Sequence, residues 1–353
     1  MSSEGQDRRP TMADVARVAG VSAMTVSYTY GQPARVSAGT AERVRRAAEE
    51  LGYVGPQPVA RSLRRGRTGS IGVVLGEHLT YAFDDPQAAR FLAGVAQVCA
   101  EQATGLTLVP ITGAASDSAR VAQAAVDGFV VWTTSDDDPV LDAVTATGLP
   151  AVVHGGPARS GLPSVGIDDR AAARAIARLA FAGARAPAIL SFPLDRARSA
   201  QVLSGPDPQA AAFPVTRNRL AGFKEAWEET GGSWSQVQVV VCAVNSARLG
   251  AAATAHLLDD DAGPDALAAM SDELALGALH TAHEVGVAVP EALALTGWDD
   301  TDAAAPAGLS TLRQDLRDHG ARCARIALGQ HDTGTPPPWE VVRRRSTRPT
   351  ALP

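Results

Sequence analysis

The stretch DVARVAGVSAMTVSYTY, Asp14 to Tyr30, decides the reading of the N-terminal fold: two short helical patterns broken at Gly20. Thr11 precedes MADVARVAG, with Asp14 three residues on. This is a variant of the capping box, in which hydroxyl and carboxylate satisfy open backbone N–H groups. A helix should therefore start near Met12, with Val15, Ala16 and Ala19 on one face. Gly20 supplies the left-handed conformation that ends a helix without steric cost. Ser22 caps a second helix, Ala23 to Tyr30, whose buried face is Val26 and Tyr30. A third starts from Ser37 or Thr40, with Val44, Ala48 and Leu51 on one face and Gly52 closing it. Two helices joined by a turn of about 3–4 residues containing Gly form a helix-turn-helix. Spacing alone also permits a three-helix bundle that binds nothing.

The charge distribution bears on that choice. The chain of 353 residues has net charge −6, yet residues 1–68 hold eleven arginines and no lysine against six carboxylates, net +5. The remainder is acidic, so the basic end is where an anionic polymer would bind. Cys99, Cys242 and Cys323 are far apart and odd in number, which offers neither a disulfide framework nor paired zinc ligands. The N-terminus MSSEGQDRRPTM has no signal-peptide core, and no run approaches the roughly 18 apolar residues of a membrane span. A reducing cytoplasm without membrane association is the expected location.

From Ser70 the pattern changes to short apolar strands alternating with Ala-rich helices. IGVVLG, LTLVPIT, DGFVVW and PAVVHGG alternate with helical stretches near 86–103, 117–126 and 138–147. A second series follows: helix 169–182, PAILSF, helix 218–230, VQVVVCA, helix 246–258, ALAAMS, helix 272–285 and LALTGW. Strands without polar alternation are buried on both faces, which indicates parallel sheets covered by helices. The segment PLDRARSAQVLSGPDPQAAAFPVT (193–216) reads as a loop near the mouth of a cleft. A ligand would bind between the two α/β halves, where strand ends and helix N-termini converge.

Three blocks in register carry a family resemblance across about 65 residues: TMADVARVAGVSAMTVS, RVSAGTAERVRRAAEELGY and VARSLRRGRTGSIGVV. The chain resembles the LacI/GalR family of bacterial transcription regulators. The resemblance implies an α/β protein: a helix-turn-helix three-helix headpiece at 11–56, a hinge at 57–69, and a periplasmic-binding-protein-like core at 70–350. The core would have two α/β subdomains with parallel sheets, the first about 70–167 plus 297–314 and the second about 168–296 plus 315–350. By the same resemblance Ala23, Met24 and Tyr28 read base edges, while Thr11, Ser22, Thr25, Ser27 and Thr40 hold phosphates. Ala60 lies on the hinge face and Leu63 wedges into the central minor-groove step with its dimer mate. Arg61, Arg64, Arg65 and Arg67 would add phosphate contacts.

Two departures from the family pattern stand out. Tyr28 replaces the usual Arg or other polar residue and cannot make the bidentate guanine contact, and Gly55 lengthens the approach to the hinge by one residue. In the core, the resemblance makes Arg219 and Asp272 effector ligands and places Tyr81, Phe83 and Asp84 near the cleft entrance. Asp272 also fits a plain N-cap role, Arg219 a surface position, and Trp298 either the cleft or the core. A homodimer on a pseudo-palindromic DNA operator follows, most simply a repressor controlled by a sugar-like small molecule. No cofactor, metal or catalytic residue is expected, since the chain has no nucleophile elbow, P-loop or H-E-x-x-H. A family member without an effector, and a solute-binding protein of the same core fold, are the alternatives.

Overall fold

The computed structural model describes residues 10–55, 67–76, 81–114, 116–157, 159, 161–259, 263–332 and 334–349. Its contacts divide the chain into two units, Met1–Thr68 and Gly69–Pro353. The expected hinge residues Ala60 and Leu63, with Arg61, Arg64 and Arg65, lie outside the described residues; Arg67 is described and exposed.

In the first unit α1 (Met12–Ala19) opens on the capping box. The Thr11 amide donates to the Asp14 carboxylate at 2.9 Å, and the Asp14 amide donates to the Thr11 hydroxyl. Gly20 ends the helix at φ 64°, in the left-handed region that costs a residue without Cβ nothing. Ser22 caps α2 (Ala23–Gly31) by accepting from the Thr25 amide, and Ser37 caps α3 (Ala38–Glu50) by accepting from the Thr40 amide. Val15, Val26 and Val44, one from each helix, are fully buried at the centre. The buried face of α2 is Val26 and Thr29 rather than Val26 and Tyr30. Thr29 is tolerated there because its hydroxyl donates to the Thr25 carbonyl at 2.9 Å. Tyr30 packs half-buried at the edge, its ring 6.0 Å from that of Tyr53.

The second unit has two five-stranded sheets. The first is parallel, in the order β2 (Gly105–Pro110), β1 (Ser70–Leu75), β3 (Phe129–Trp132), β4 (Ala151–His154), β5 (Ser164–Val165). Beside it lie the short helices α4 (Tyr81–Asp84), α6 (Asp117–Ala122) and α7 (Pro139–Ala146), and the long α5 (Pro86–Glu101). The chain then crosses through α8 (Asp169–Ala180) to a second sheet. Its order is β10 (Ala294–Thr296), β9 (Ala266–Ala269), β6 (Pro187–Ser191), β8 (Gln238–Val241), β7 (Gln201–Ser204). Around it are α9 (Pro214–Glu229), α10 (Ala247–Leu258), α11 (Asp272–Glu284) and α12 (Ala304–Ala307).

Two expectations are corrected. The segment 193–216 is not all loop: β7 pairs antiparallel with β8, opposing Val202 to Val240, and closes the sheet edge. Helix α9 also begins at Pro214, since Pro is preorganised for the first helical position. The subdomain boundaries near the C-terminus are reversed as well. Residues 297–314 stay with the second sheet: Trp298 and Leu312 join the cluster around Ile176 and Phe223, and Ala304 and Leu309 pack with Leu274 and Leu295. The helix α13 (Leu316–Ala327) instead covers the first sheet, burying Leu316, Cys323, Ala324 and Ala327 with Ile71, Val73 and Phe91. The chain then returns as β12 (Trp339–Val342), antiparallel to β11 (Thr311–Gln314). Periodicity shows that α13 has one apolar face; it does not show which sheet that face covers. The crossing of α13 on α5 is close, because a side chain at Gly94 would overlap the Arg317 carbonyl and one at Gly320 the Phe91 carbonyl.

Candidate functional site

Two surfaces carry the chemistry, one in each unit. On α2, Ala23 and Met24 are exposed, Met24 at 59%, so both are free to meet a groove edge. Tyr28 is half-buried, and the Arg35 guanidinium lies 5.5 Å over its ring. That cation–π contact holds the ring to the headpiece rather than leaving it to swing. The hydroxyls of Ser22 and Thr25 lie 2.9 Å apart, and those of Ser37 and Thr40 also 2.9 Å. With Thr11 they sit at the N-terminal turns of the three helices, where unpaired backbone N–H groups and the helix dipole favour phosphate oxygens. Ser27 is half-buried on α2.

The second surface is a cavity between the two sheets, about 880 Å³ counting its open mouth. It is built from the carboxyl ends of the parallel strands, where α/β sheets place ligands. Trp132 and His154 end β3 and β4, and Phe192 follows β6. Arg219, six residues into α9, is 6% exposed and lines the cavity. Its Nε donates to the Asp169 carboxylate at 2.8 Å and its Nη1 to the Met270 carbonyl at 2.6 Å. The guanidinium lies 3.8 Å from the centre of the Trp298 ring. Trp298 is fully buried and outside the lining, so it is the floor beneath Arg219.

Asp272 does not reach the cavity. It is fully buried at the first position of α11, accepting from the Thr301 amide and the Thr311 hydroxyl, each at 2.6 Å. It ties α11 to the turn after β10 and to β11. Burial pushes its carboxyl up to about 6 against the lowering pull of those hydrogen bonds. Asp299, in the turn that follows Trp298, lines the cavity instead, together with Asp85 and Asp169. Asp299 has φ 108° and accepts from Gln314 Nε2 at 2.6 Å. Burial raises its carboxyl well above the ordinary range, Arg219 pulling it back and Asp272 pushing it further. A non-glycine residue held in that region of backbone space marks a turn that its surroundings over-determine. Asp169, also raised by burial, is held by Arg219.

Of the aromatic residues expected at the entrance, Phe83 is 69% exposed and outside the lining, and Asp84 is exposed. Tyr81 begins α4, and its side chain lies outside the described residues. Several contacts join the two walls. Arg217 Nη1 meets Asp136 Oδ2 at 2.6 Å, Asn245 Nδ2 donates to Asp85 Oδ2 at 2.5 Å, and Arg90 pairs with Asp302 at 2.5 Å. Asp85, Asn245, His154 and Gln87, all in the lining, were not singled out from sequence. Their position at strand ends and at the start of α5 was the available signal. Among the described residues no group of His, Cys, Asp or Glu is placed to hold a metal ion, and no helix is long and apolar enough to cross a membrane.

Comparison with known proteins agrees with both units. Residues 11–55 match the family of bacterial regulatory proteins of the lacI type, and residues 196–349 the periplasmic binding protein-like domain. The HTH-type transcriptional regulator Rv3575c of Mycobacterium tuberculosis is 38% identical over 98% of both chains. The regulator IpsA of Corynebacterium glutamicum is also 38% identical, over 91% of both. Among solved structures, a LacI-family regulator from Corynebacterium glutamicum is 31% identical with TM-score 0.72, covering 97% of this chain and all of that one. The lac repressor dimer bound to operator and the anti-inducer ONPF is 25% identical with TM-score 0.74, covering 96% and 99%. The CelR–cellobiose complex is 27% identical with TM-score 0.63, covering 96% and 100%.

A helix-turn-helix headpiece carried on a periplasmic-binding-protein-like core defines a DNA-binding regulator of transcription. The chain belongs to the LacI family of bacterial transcriptional regulators.

Proposed function

We propose that this regulator is a cytoplasmic homodimeric repressor whose affinity for a pseudo-palindromic operator is set by an uncharged, sugar-like effector in the cavity between the sheets. The observation that carries the reading is Arg219, a buried guanidinium lining a cavity whose walls belong to different sheets. A ligand touching both walls favours one arrangement of the two subdomains over another, and such differential contact is what couples two sites. The state of Arg219 favours a neutral ligand. Its Nε and Nη1 are committed to Asp169 and the Met270 carbonyl, so it does not present an empty fork to a carboxylate or phosphate. Asp85, and Asp169 paired with Arg219, add acceptors rather than free cations around the same cavity, which opposes an anion further. The complexes of relatives with cellobiose and with ONPF support a sugar-like ligand.

On the DNA side, Ala23, Met24 and Tyr28 read base edges, and Thr11, Ser22, Thr25, Ser27 and Thr40 position the headpiece on phosphates. The lac repressor relative is a dimer on operator, and dimeric headpieces match paired half-sites. The test is a gel shift at fixed salt on an operator obtained by in vitro selection. The full chain should bind the selected duplex about 10³-fold or more tighter than a scrambled one. Arg219→Ala should bind it equally well while losing the effect of any sugar that shifts the wild type. An Arg219→Ala protein with a normal sugar response would remove the cavity from the account.

A further inference from the structure

On the first-sheet wall of the cavity, His154 Nε2 lies 3.1 Å from His319 Nδ1, joining the end of β4 to the first turn of α13. Both rings are buried, at 8% and 1% exposure. His154 lies nearly parallel to the Trp132 indole, 12° between planes and 4.8 Å between centres, with Phe91 4.8 Å away. Its other nitrogen, Nδ1, has no partner. Gln87, in the first turn of α5, is 5% exposed, and neither its Nε2 nor its Oε1 has a partner. Among the described residues that line the cavity, these two carry the buried side-chain atoms without partners. Buried polar atoms are almost always hydrogen-bonded, and leaving them bare is costly. On the opposite wall Arg219, Asp169, Asn245 and Asp299 already hold partners. The unmet valence is gathered on the first-sheet wall.

We propose that His154 is an effector-contacting residue and His319 its positioning residue, together with Gln87 forming a subsite for a hydroxyl of a neutral polyhydroxylated ring. The proposal rests on reading the cavity as the effector site. Between neutral imidazoles one ring nitrogen must donate and the other accept. If His154 Nε2 carries the proton, His319 Nδ1 accepts and both rings are Nε2–H tautomers; if His319 Nδ1 carries it, both are Nδ1–H tautomers. His319 therefore sets whether His154 Nδ1 donates or accepts. A hydroxyl satisfies either case, whereas a carboxylate or phosphate oxygen satisfies only the second. The Gln87 amide, with one donor group and one acceptor, has the same indifference. Trp132 adds an apolar face beside these polar atoms, the combination offered by a sugar ring with its C–H and O–H edges.

The test uses the full chain labelled with ¹⁵N in histidine, glutamine and arginine side chains, with D-glucose, D-ribose and cellobiose as probes. In the free protein at neutral pH, His154 and His319 should both be neutral and of the same tautomer; opposite tautomers, or a charged ring, overturn the pair. At least one probe should shift the His154 Nδ1 and Gln87 amide signals. A probe that shifts the Arg219 signals but leaves His154 unmoved overturns the proposal while the effector reading stands. If no probe moves any of these signals, both fail. His319→Leu should release the tautomer coupling and weaken the responding probe about tenfold, the scale of one lost hydrogen bond. His319→Asn, which keeps a polar partner for His154, should restore most of the affinity. Equal affinity in wild type and His319→Leu would also overturn it.

Discussion

Arg219 lies over the face of Trp298, its guanidinium carbon 3.8 Å from the ring centre. The pair places a cation on the cavity wall with a fully buried aromatic as its floor. Desolvated cation–π contacts of this kind are worth about 2 kcal/mol. Truncating Trp298 to Ala should cost about 3–5 kcal/mol of stability through the cavity left behind. Trp298→Phe keeps an aromatic floor and should lose much less. Urea unfolding of the two variants checks this; equal losses would mean that neither the retained volume nor a phenyl face substitutes for the indole, against the role of an aromatic floor.

Asp272, expected as an effector ligand, is buried away from the cavity, and Asp299 lines it. Asp272→Ala strips the Thr301 amide and Thr311 hydroxyl of their acceptor, and should destabilise the core by about 2–4 kcal/mol. Asp299→Asn should leave stability within about 1–2 kcal/mol and abolish the sugar response. A variant of Asp272 that folds with wild-type stability would contradict this assignment.

Tyr28 tests the DNA face. A ring held beside Arg35 and carrying one hydroxyl suits a thymine methyl or a single hydrogen bond, not the guanine fork. Tyr28→Arg should move preference at the outer half-site position toward guanine by about 1–3 kcal/mol. Operator selection with both proteins reads this directly. Unchanged preference would make Tyr28 a packing residue and leave Ala23 and Met24 as the readers.

The histidine pair and the buried carboxylates pull stability in opposite directions with pH. Burial holds His319 down to about 4, with Asp318 and Asp315 raising it and Arg322 lowering it, and holds His154 well below 6.5, helped by His319 and Arg219. The unfolded chain therefore binds more protons than the native one, and stability falls as pH drops below about 6.5 toward 4. Asp272, raised to about 6 in the fold, acts the other way, native protein binding the extra proton between about pH 4 and 6. His319→Leu removes one acid penalty and should reduce the stability lost between about pH 7 and pH 5 by about 2 kcal/mol. An unchanged pH profile would mean His319 is not held neutral.

The headpiece is legible in the sequence because its signals are local. Thr11 with Asp14, Gly20, Ser22 and Ser37 each act within one helical turn, and the three valines that meet at the centre follow from periodicity. The cavity is less so. Arg219 was reachable through resemblance, but Asp299 and Asp272 both sit beside a strand end and a helix start, and only the backbone at Asp299 decides which carboxylate faces inward. His154 meets His319 across 165 positions of sequence, a contact that depends on α13 returning to the first sheet. Nothing in the periodicity of LRDHGARCARIA states that return.

The proposed effector is a neutral sugar-like molecule bound at Arg219. A thermal-shift screen of the full chain against sugars, sugar phosphates, nucleosides and amino acids, repeated on Arg219→Ala, tests it most directly, because a ligand that binds only the folded state raises its midpoint. A neutral sugar or related polyol should raise the wild-type midpoint by about 5 °C near a hundredfold excess over its Kd, with no rise in Arg219→Ala. A sugar phosphate or amino acid as the stabilising compound, or the same sugar stabilising both proteins equally, would contradict it.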